Sequence, residues 1–155
     1  MCAGVSPGLL TTEVTEASIL RAEGRRASAA QRLRGLSSRV SLADFGSGYA
    51  SLSMLTGLPL GEVKINPGLV RDMHGGGHQA SVARAVAQFA GSLGLDAVAE
   101  GIETEAHLRA CQGSGFSVGQ GLLFICPQPA QRAQDWLDDD ARFECVLAGG
   151  DRSRH

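Results

Sequence analysis

The sequence predicts an α/β fold, an incomplete (β/α)8 barrel of the TIM type with about five βα units. Three observations predict it. Short apolar runs alternate with helical patterns along the 155 residues, and such alternation forms right-handed βαβ crossovers and a parallel sheet. A polar side chain closes each apolar run, and a parallel sheet gathers the carboxyl ends of its strands on one side, where barrels carry their active sites. The third is a count: a whole barrel needs eight strands in about 250 residues, whereas five runs read as strands here. An open doubly wound sheet is the rival architecture, but a polar group at each strand end favours a barrel rim.

The elements follow in order. LLTTEVTE (9–16) reads as the first strand, ending at Glu13 to Glu16, and GRRASAAQRLRGL (24–36) as an exposed, arginine-rich helix. RVSLAD (39–44) is the second strand, ending at Asp44, and the GSGYAS turn (46–51) leads into SLSMLTGL (51–58). GEVKIN (61–66) gives a third strand with Lys64 near its end. HQASVARAVAQFAGSLG (78–94) is the clearest helix, because Val82, Val86, Phe89 and Leu93 recur at three- and four-residue spacing and Gly94 can close it. DAVAEG (96–101) is a fourth strand ending at Glu100, and TEAHLRACQ (104–112) a helix capped by Thr104. FSVGQG (116–121) is a fifth strand ending at Gln120, and AQRAQDWLDDD (130–140), after Pro127 and Pro129, a final helix that packs through Trp136 and Leu137. Residues 1–8 are expected to be a disordered leader, 9–140 the domain and 141–155 a fraying tail.

Bulk properties narrow the function. A net charge of −2 with 43% hydrophobic and 19% charged residues describes an ordinary globular protein, with no basic excess to attract DNA. No segment approaches the ~18 apolar residues of a membrane span, and MCAGVSPGLL lacks the features of a signal peptide. A cytoplasmic protein is expected. Cys2, Cys111, Cys126 and Cys145 show no metal or redox spacing and read as reduced thiols. Of 14 basic side chains 13 are arginine, and Lys64 is the exception. Arginine cannot replace lysine where a compact ammonium must enter a crowded site.

The segments TEVTE (12–16), ADFGSGYASLSML (43–55), VKIN (63–66), VAEGIETE (98–105) and GQGLLF with CPQP (119–129) resemble the EAL-domain family, the bacterial cyclic-di-GMP phosphodiesterases. The likeness covers about residues 10 to 137 in the family's order and spacing. It implies an EAL-type barrel that hydrolyses one phosphodiester of cyclic-di-GMP to the linear dinucleotide with Mg²⁺ or Mn²⁺. By that resemblance Glu13 and Asp44 match metal-binding carboxylates, and Glu16 the anchor of the loop after the next strand. Lys64 matches the lysine near the attacking water and phosphate, and Glu100 a carboxylate beside the metals or the water. Glu103 and Gln120 match the remaining active-site carboxylate and the glutamine near the water. Two cations clamping the attacking and leaving oxygens, held by hard carboxylate oxygens and assisted by an ammonium, suit that reaction.

The departures bear on activity. Ala43 stands where the family has the first of two metal-facing aspartates, and a methyl group cannot bind a metal. The family's Glu-Ala-Leu segment and its metal-binding asparagine have no counterpart here, Asn66 replaces the usual aspartate after Lys-Ile, and Leu122 replaces a common tyrosine. These departures point to a truncated, catalytically impaired domain, with Mg²⁺ or Mn²⁺ as cofactor if it is active and a metal-free site as the other expectation; the alternatives are a non-catalytic cyclic-di-GMP-binding or protein-interaction module, or a decayed remnant. Five strands would leave two edges unpaired, so a second copy or a second chain completing the barrel is an expected partner.

Simpler roles stand beside these. Asp44 can cap the following helix, Glu100 and Glu103 can be solvated, and Gln120 can be a core amide bonded to backbone. His74 and His78 flank a GGG stretch that is a poor helix former, which reads as a mobile loop rather than a zinc site. Neither GSGYAS nor GGG has phosphate-loop spacing. Arg21, Arg25, Arg26, Arg32 and Arg34 read as a solvated face.

Overall fold

The structure is a computed structural model that describes residues 6–21, 35, 39–47 and 52–137. A 3-10 turn at Pro7–Leu9 precedes strand β1 (Thr11–Thr15), helix α1 (Glu16–Arg21) and strand β2 (Arg39–Phe45). Helix α2 (Leu52–Gly57), strand β3 (Glu62–Ile65), helix α3 (Pro67–Asp72), a 3-10 turn (Met73–Gly75) and the long helix α4 (Gly77–Ser92) follow. Strand β4 (Asp96–Glu100), helix α5 (Glu105–Gln112) and strand β5 (Val118–Gln120) complete the sheet. Residues through Ile125 form one compact unit; those from Cys126 form another, which contains helix α6 (Ala130–Leu137) with the Arg132 N–H on the Pro129 carbonyl at 3.0 Å.

The sheet is parallel throughout and its spatial order is β1-β2-β3-β4-β5. Every crossover steps to the adjacent strand in the same direction, so right-handed connections put their helices on one face. A doubly wound sheet would reverse its strand order midway. The arrangement is therefore an arc of a barrel, and among the described residues the outer edges of β1 and β5 pair with no strand.

The two faces divide by chemistry. Val14, Leu42, Phe45, Val63, Ile65, Ala97 and Ala99 belong to the apolar core. Thr11, Glu13 and Thr15 align with Arg39, Ser41 and Ala43 on the other face. Glu62 and Lys64 align with Asp96 and Val98, and Glu100 with Gln120. Side chains alternate across a strand, so a polar row at every second position is a direct consequence of the sequence pattern.

Several boundaries and faces differ from expectation. The first strand is shorter, and Glu16 opens α1 instead of ending β1. The innermost row of α4 is Ala80, Ala83, Ala87 and Ala90, while Val82, Val86 and Phe89 flank it and Leu93 is exposed. Small side chains let a helix approach the sheet closely, so the bulkier residues pack to the sides. Gly94 ends α4 as expected: its N–H bonds the Gly91 carbonyl and that of Leu95 the Ala90 carbonyl, both at 3.0 Å, with Gly94 at φ +72°. The stretch expected as a mobile loop holds a 3-10 turn containing His74, and His78 lies in the first turn of α4. Helix α3 was not expected; its signal was the pair Asn66-Pro67, a cap followed by proline at the first helical position, with Asn66 Oδ1 accepting from Gly68 N–H at 2.8 Å. The arginine-rich segment 24–36 apart from Gly35, most of the GSGYAS turn, the side chains of Trp136 and Leu137, and the tail 141–155 lie outside the described residues.

Candidate functional site

Lys64 sits at the centre of the polar face. Its ammonium lies 2.6 Å from Glu13 Oε1 on β1 and 2.8 Å from Glu100 Oε1 on β4. The lysine side chain is only 5% exposed, whereas those of Glu13 and Glu100 are 50% and 19% exposed, so the carboxylates open toward solvent over a buried cation. Burial is the largest single influence on the Lys64 pKa and lowers it, but hydrogen bonds and charge from Glu100 and Glu13 together outweigh burial and raise it above 10.5. The site therefore holds a firmly protonated ammonium between two carboxylates.

A bulge shapes the strand beside it. The β2–β3 register passes from Leu42↔Val63 to Phe45↔Ile65, so Ala43 and Asp44 together oppose Lys64. Ala43 is buried, whereas Asp44 is exposed with φ +59°, a left-handed conformation that Asp tolerates better than most residues. At its far end the Ser47 N–H bonds the Asp44 backbone carbonyl at 3.2 Å. Glu16 is 1% exposed, and its Oε2 accepts from Ser47 Oγ at 3.3 Å, which ties α1 to the loop after β2. Oε1 of the same carboxylate has no partner among the described residues.

The other expected residues lie along the rim. Gln120 pairs in register with Glu100 and is exposed, and its backbone carbonyl accepts from Ile102 N–H at 3.1 Å. Glu103 stands apart from the Lys64 group, 3.9 Å from the Arg71 guanidinium. Its N–H donates to His107 Nδ1 at 3.3 Å, and the His107 ring lies 5.5 Å from that of His74. The 99–103 segment depends on a close backbone crossing, because a Cβ on Gly121 would collide with the Ile102 backbone. Thus Glu13, Lys64 and Glu100 come together, Gln120 adjoins them by register, and Asp44 and Glu103 flank them without joining their ion pairs.

Three residues were missed by sequence reasoning. Ser41 lies fully buried on the polar face between β1 and β3, with Oγ unpartnered among the described residues. Toward the amino ends of the strands, Arg39 bonds Asp96 Oδ2 and the Gly61 carbonyl (3.0 Å) and stands 3.8 Å from Glu62. The alternation in RVSLAD signals Arg39 and Ser41, and GEVKIN signals Glu62.

The barrel arc gathers carboxylates, one buried ammonium and a glutamine at the carboxyl ends of its strands, the side on which barrels carry active sites. The sequence profile of the EAL domain matches residues 2–127, and the chain belongs to that family. It is 33% identical to the cyclic di-GMP phosphodiesterase PdeR of Escherichia coli over 127 residues, which is 82% of this chain and 19% of PdeR. The structure of a phosphodiesterase named PaMucR in complex with c-di-GMP superimposes with a TM-score of 0.77 at 32% identity, covering 83% of this chain and 52% of that one. A Klebsiella pneumoniae BlrP1 complex with manganese and cy-diGMP gives 0.73 at 32% identity, covering 78% and 31%. The chain thus spans well under two thirds of these relatives.

The residues present fit a metal poorly. Among the described residues no group of three His, Cys, Asp or Glu side chains is placed to hold a metal ion. One oxygen each of Glu13 and Glu100 is already paired with Lys64, and Ala43 supplies no side-chain oxygen.

Proposed function

We propose that this chain carries an EAL-type site for cyclic-di-GMP in which hydrolysis is impaired. The observation that supports this best is the Glu13–Lys64–Glu100 group beside Ala43, a family-like constellation with a methyl in place of a ligand. Glu13 and Asp44 are the metal-side carboxylates of the family pattern, Lys64, Glu100, Glu103 and Gln120 its catalytic positions, and Glu16 its loop anchor. The two carboxylates and one ammonium carry a net charge of −1, so the two phosphates of the dinucleotide meet repulsion that a full metal set would remove. Mg²⁺ or Mn²⁺ is the cofactor class if any turnover survives, and the bacterial cytoplasm is where such a ligand would be met.

The test incubates purified protein with cyclic-di-GMP and Mn²⁺, follows the linear dinucleotide chromatographically and measures binding in parallel. Binding without turnover is expected. Turnover by this chain alone contradicts the proposal, and absence of both removes the dinucleotide as its ligand.

The outer edges of β1 and β5, unpaired among the described residues, favour a second reading, in which a second copy or another chain completes the barrel. Light scattering on the purified protein should then show self-association. A monomer that melts cooperatively contradicts it.

A further inference from the structure

We infer that the Lys64 ammonium occupies the role of a site cation in this chain, so that Glu13 and Glu100 take up no divalent metal until Lys64 is removed. The inference rests on ion-pair geometry and not on the dinucleotide reading, so either can fail while the other stands.

The argument is one of charge and space. Nζ contacts one oxygen of each carboxylate, at 2.6 and 2.8 Å, and thereby links strands β1 and β4 across β2 and β3. A divalent ion bridging the same two oxygens would stand within a few ångströms of a nearly buried, unscreened ammonium, and like charges at that range repel strongly. The lysine cannot simply retreat. Its side chain is 5% exposed, and withdrawing it from both acceptors would leave a buried charge unpaired. Nor does a third oxygen help: opposite Lys64 the bulge presents the buried methyl of Ala43 and the exposed side chain of Asp44, which forms no ion pair with Lys64. Hard divalent cations want at least several fixed oxygens, and each of the two carboxylates here already has one oxygen engaged by Lys64. Replacing Lys64 by an uncharged side chain reverses the balance, leaving two facing carboxylates with no counter-ion.

The test titrates Mn²⁺ into the protein and reads free Mn²⁺ by electron paramagnetic resonance, with far-UV circular dichroism to verify folding. Wild type should show no Mn²⁺ uptake that Glu13→Gln or Glu100→Gln abolishes. Lys64→Met should bind Mn²⁺ at least about tenfold more tightly than wild type, and the triple variant Lys64→Met/Glu13→Gln/Glu100→Gln should lose the gain. Wild-type uptake that either Gln variant removes overturns the inference, and so does a folded Lys64→Met that gains nothing. If Lys64→Met does not fold, the comparison of wild type with Glu13→Gln and Glu100→Gln decides alone: identical titrations support the inference and a difference overturns it.

Discussion

Two charged groups lie on the same face of the sheet at opposite ends of the strands, and they differ in how a cation is used. At the carboxyl side Lys64 is almost wholly buried and meets two carboxylates; at the amino side Arg39 is 44% exposed and reaches Glu62, Asp96 and the Gly61 carbonyl with its planar fork. The more solvated end of the arc suits a guanidinium, which spreads its donors over three acceptors. The crowded end suits a slim stem with a compact charge. A chain that uses arginine at 13 of 14 basic positions keeps its one lysine at the nearly buried position between two carboxylates. The Arg39 group fastens the amino ends of the strands, whereas the Lys64 group stands at their carboxyl ends.

The sharpest way to break this comparison is to neutralise each cation. Lys64→Met leaves Glu100 and Glu13 facing each other without a counter-ion and should cost about 2–3 kcal/mol of stability by urea denaturation, less than a fully buried pair because Glu13 is half-exposed. A loss as small as that of a surface pair would mean that Lys64 is not the centre of the site. Ala43→Asp comes next. A new carboxylate at a buried position beside two others should destabilise by roughly 1–2 kcal/mol, and with Lys64 still in place Mn²⁺ should recover none of that loss in a thermal melt. Recovery by Mn²⁺ would show that restoring one oxygen rebuilds a cation site despite Lys64.

Arg39→Lys tests the other end, where a single ammonium cannot span all three acceptors; about 1 kcal/mol should be lost, in keeping with a half-exposed ion pair. Losses at Arg39 and Lys64 that came out equal would erase the distinction. The pH dependence tests the Lys64 group further. Because the folded pKa of Lys64 is raised, its stabilising contribution is fully present below the unfolded value near 10.5 and is lost as pH rises through the folded value. The stability difference between wild type and Lys64→Met should therefore be flat from neutral pH to about 10 and shrink above it. The smallest effect is expected at the bulge: Asp44→Gly removes a left-handed side-chain penalty and adds chain entropy, leaving stability within about 0.5 kcal/mol of wild type.

Much of this was legible in the sequence, for identifiable reasons. The five strands and the polar residue near each end follow from alternation, and the family from the spacing of TEVTE, ADFGSGY, VKIN and VAEGIETE. Thr104 and Gly94 announced their helix ends because capping is local chemistry. Tertiary packing was not legible. The periodicity of Val82, Val86, Phe89 and Leu93 marked a helix but named the wrong inner row, since alanine carries little hydrophobic weight and only the distance to the sheet selects it. The convergence of Glu13, Lys64 and Glu100, 87 positions apart at the extremes (100 − 13 = 87), was predicted from parallel topology, but their pairing was not. That Asp44 and Glu103 would stand outside it depends on a bulge and on Arg71, neither visible as a pattern.

The most direct test of the account exploits the single lysine. Protein labelled with ¹⁵N only at the lysine side-chain nitrogen gives one Nζ resonance, and substoichiometric Mn²⁺ can be added at neutral pH. The account predicts that the resonance keeps its width, because the ammonium already holds both carboxylates. Selective broadening that disappears in Glu100→Gln would place the metal at Lys64's own partners and contradict it.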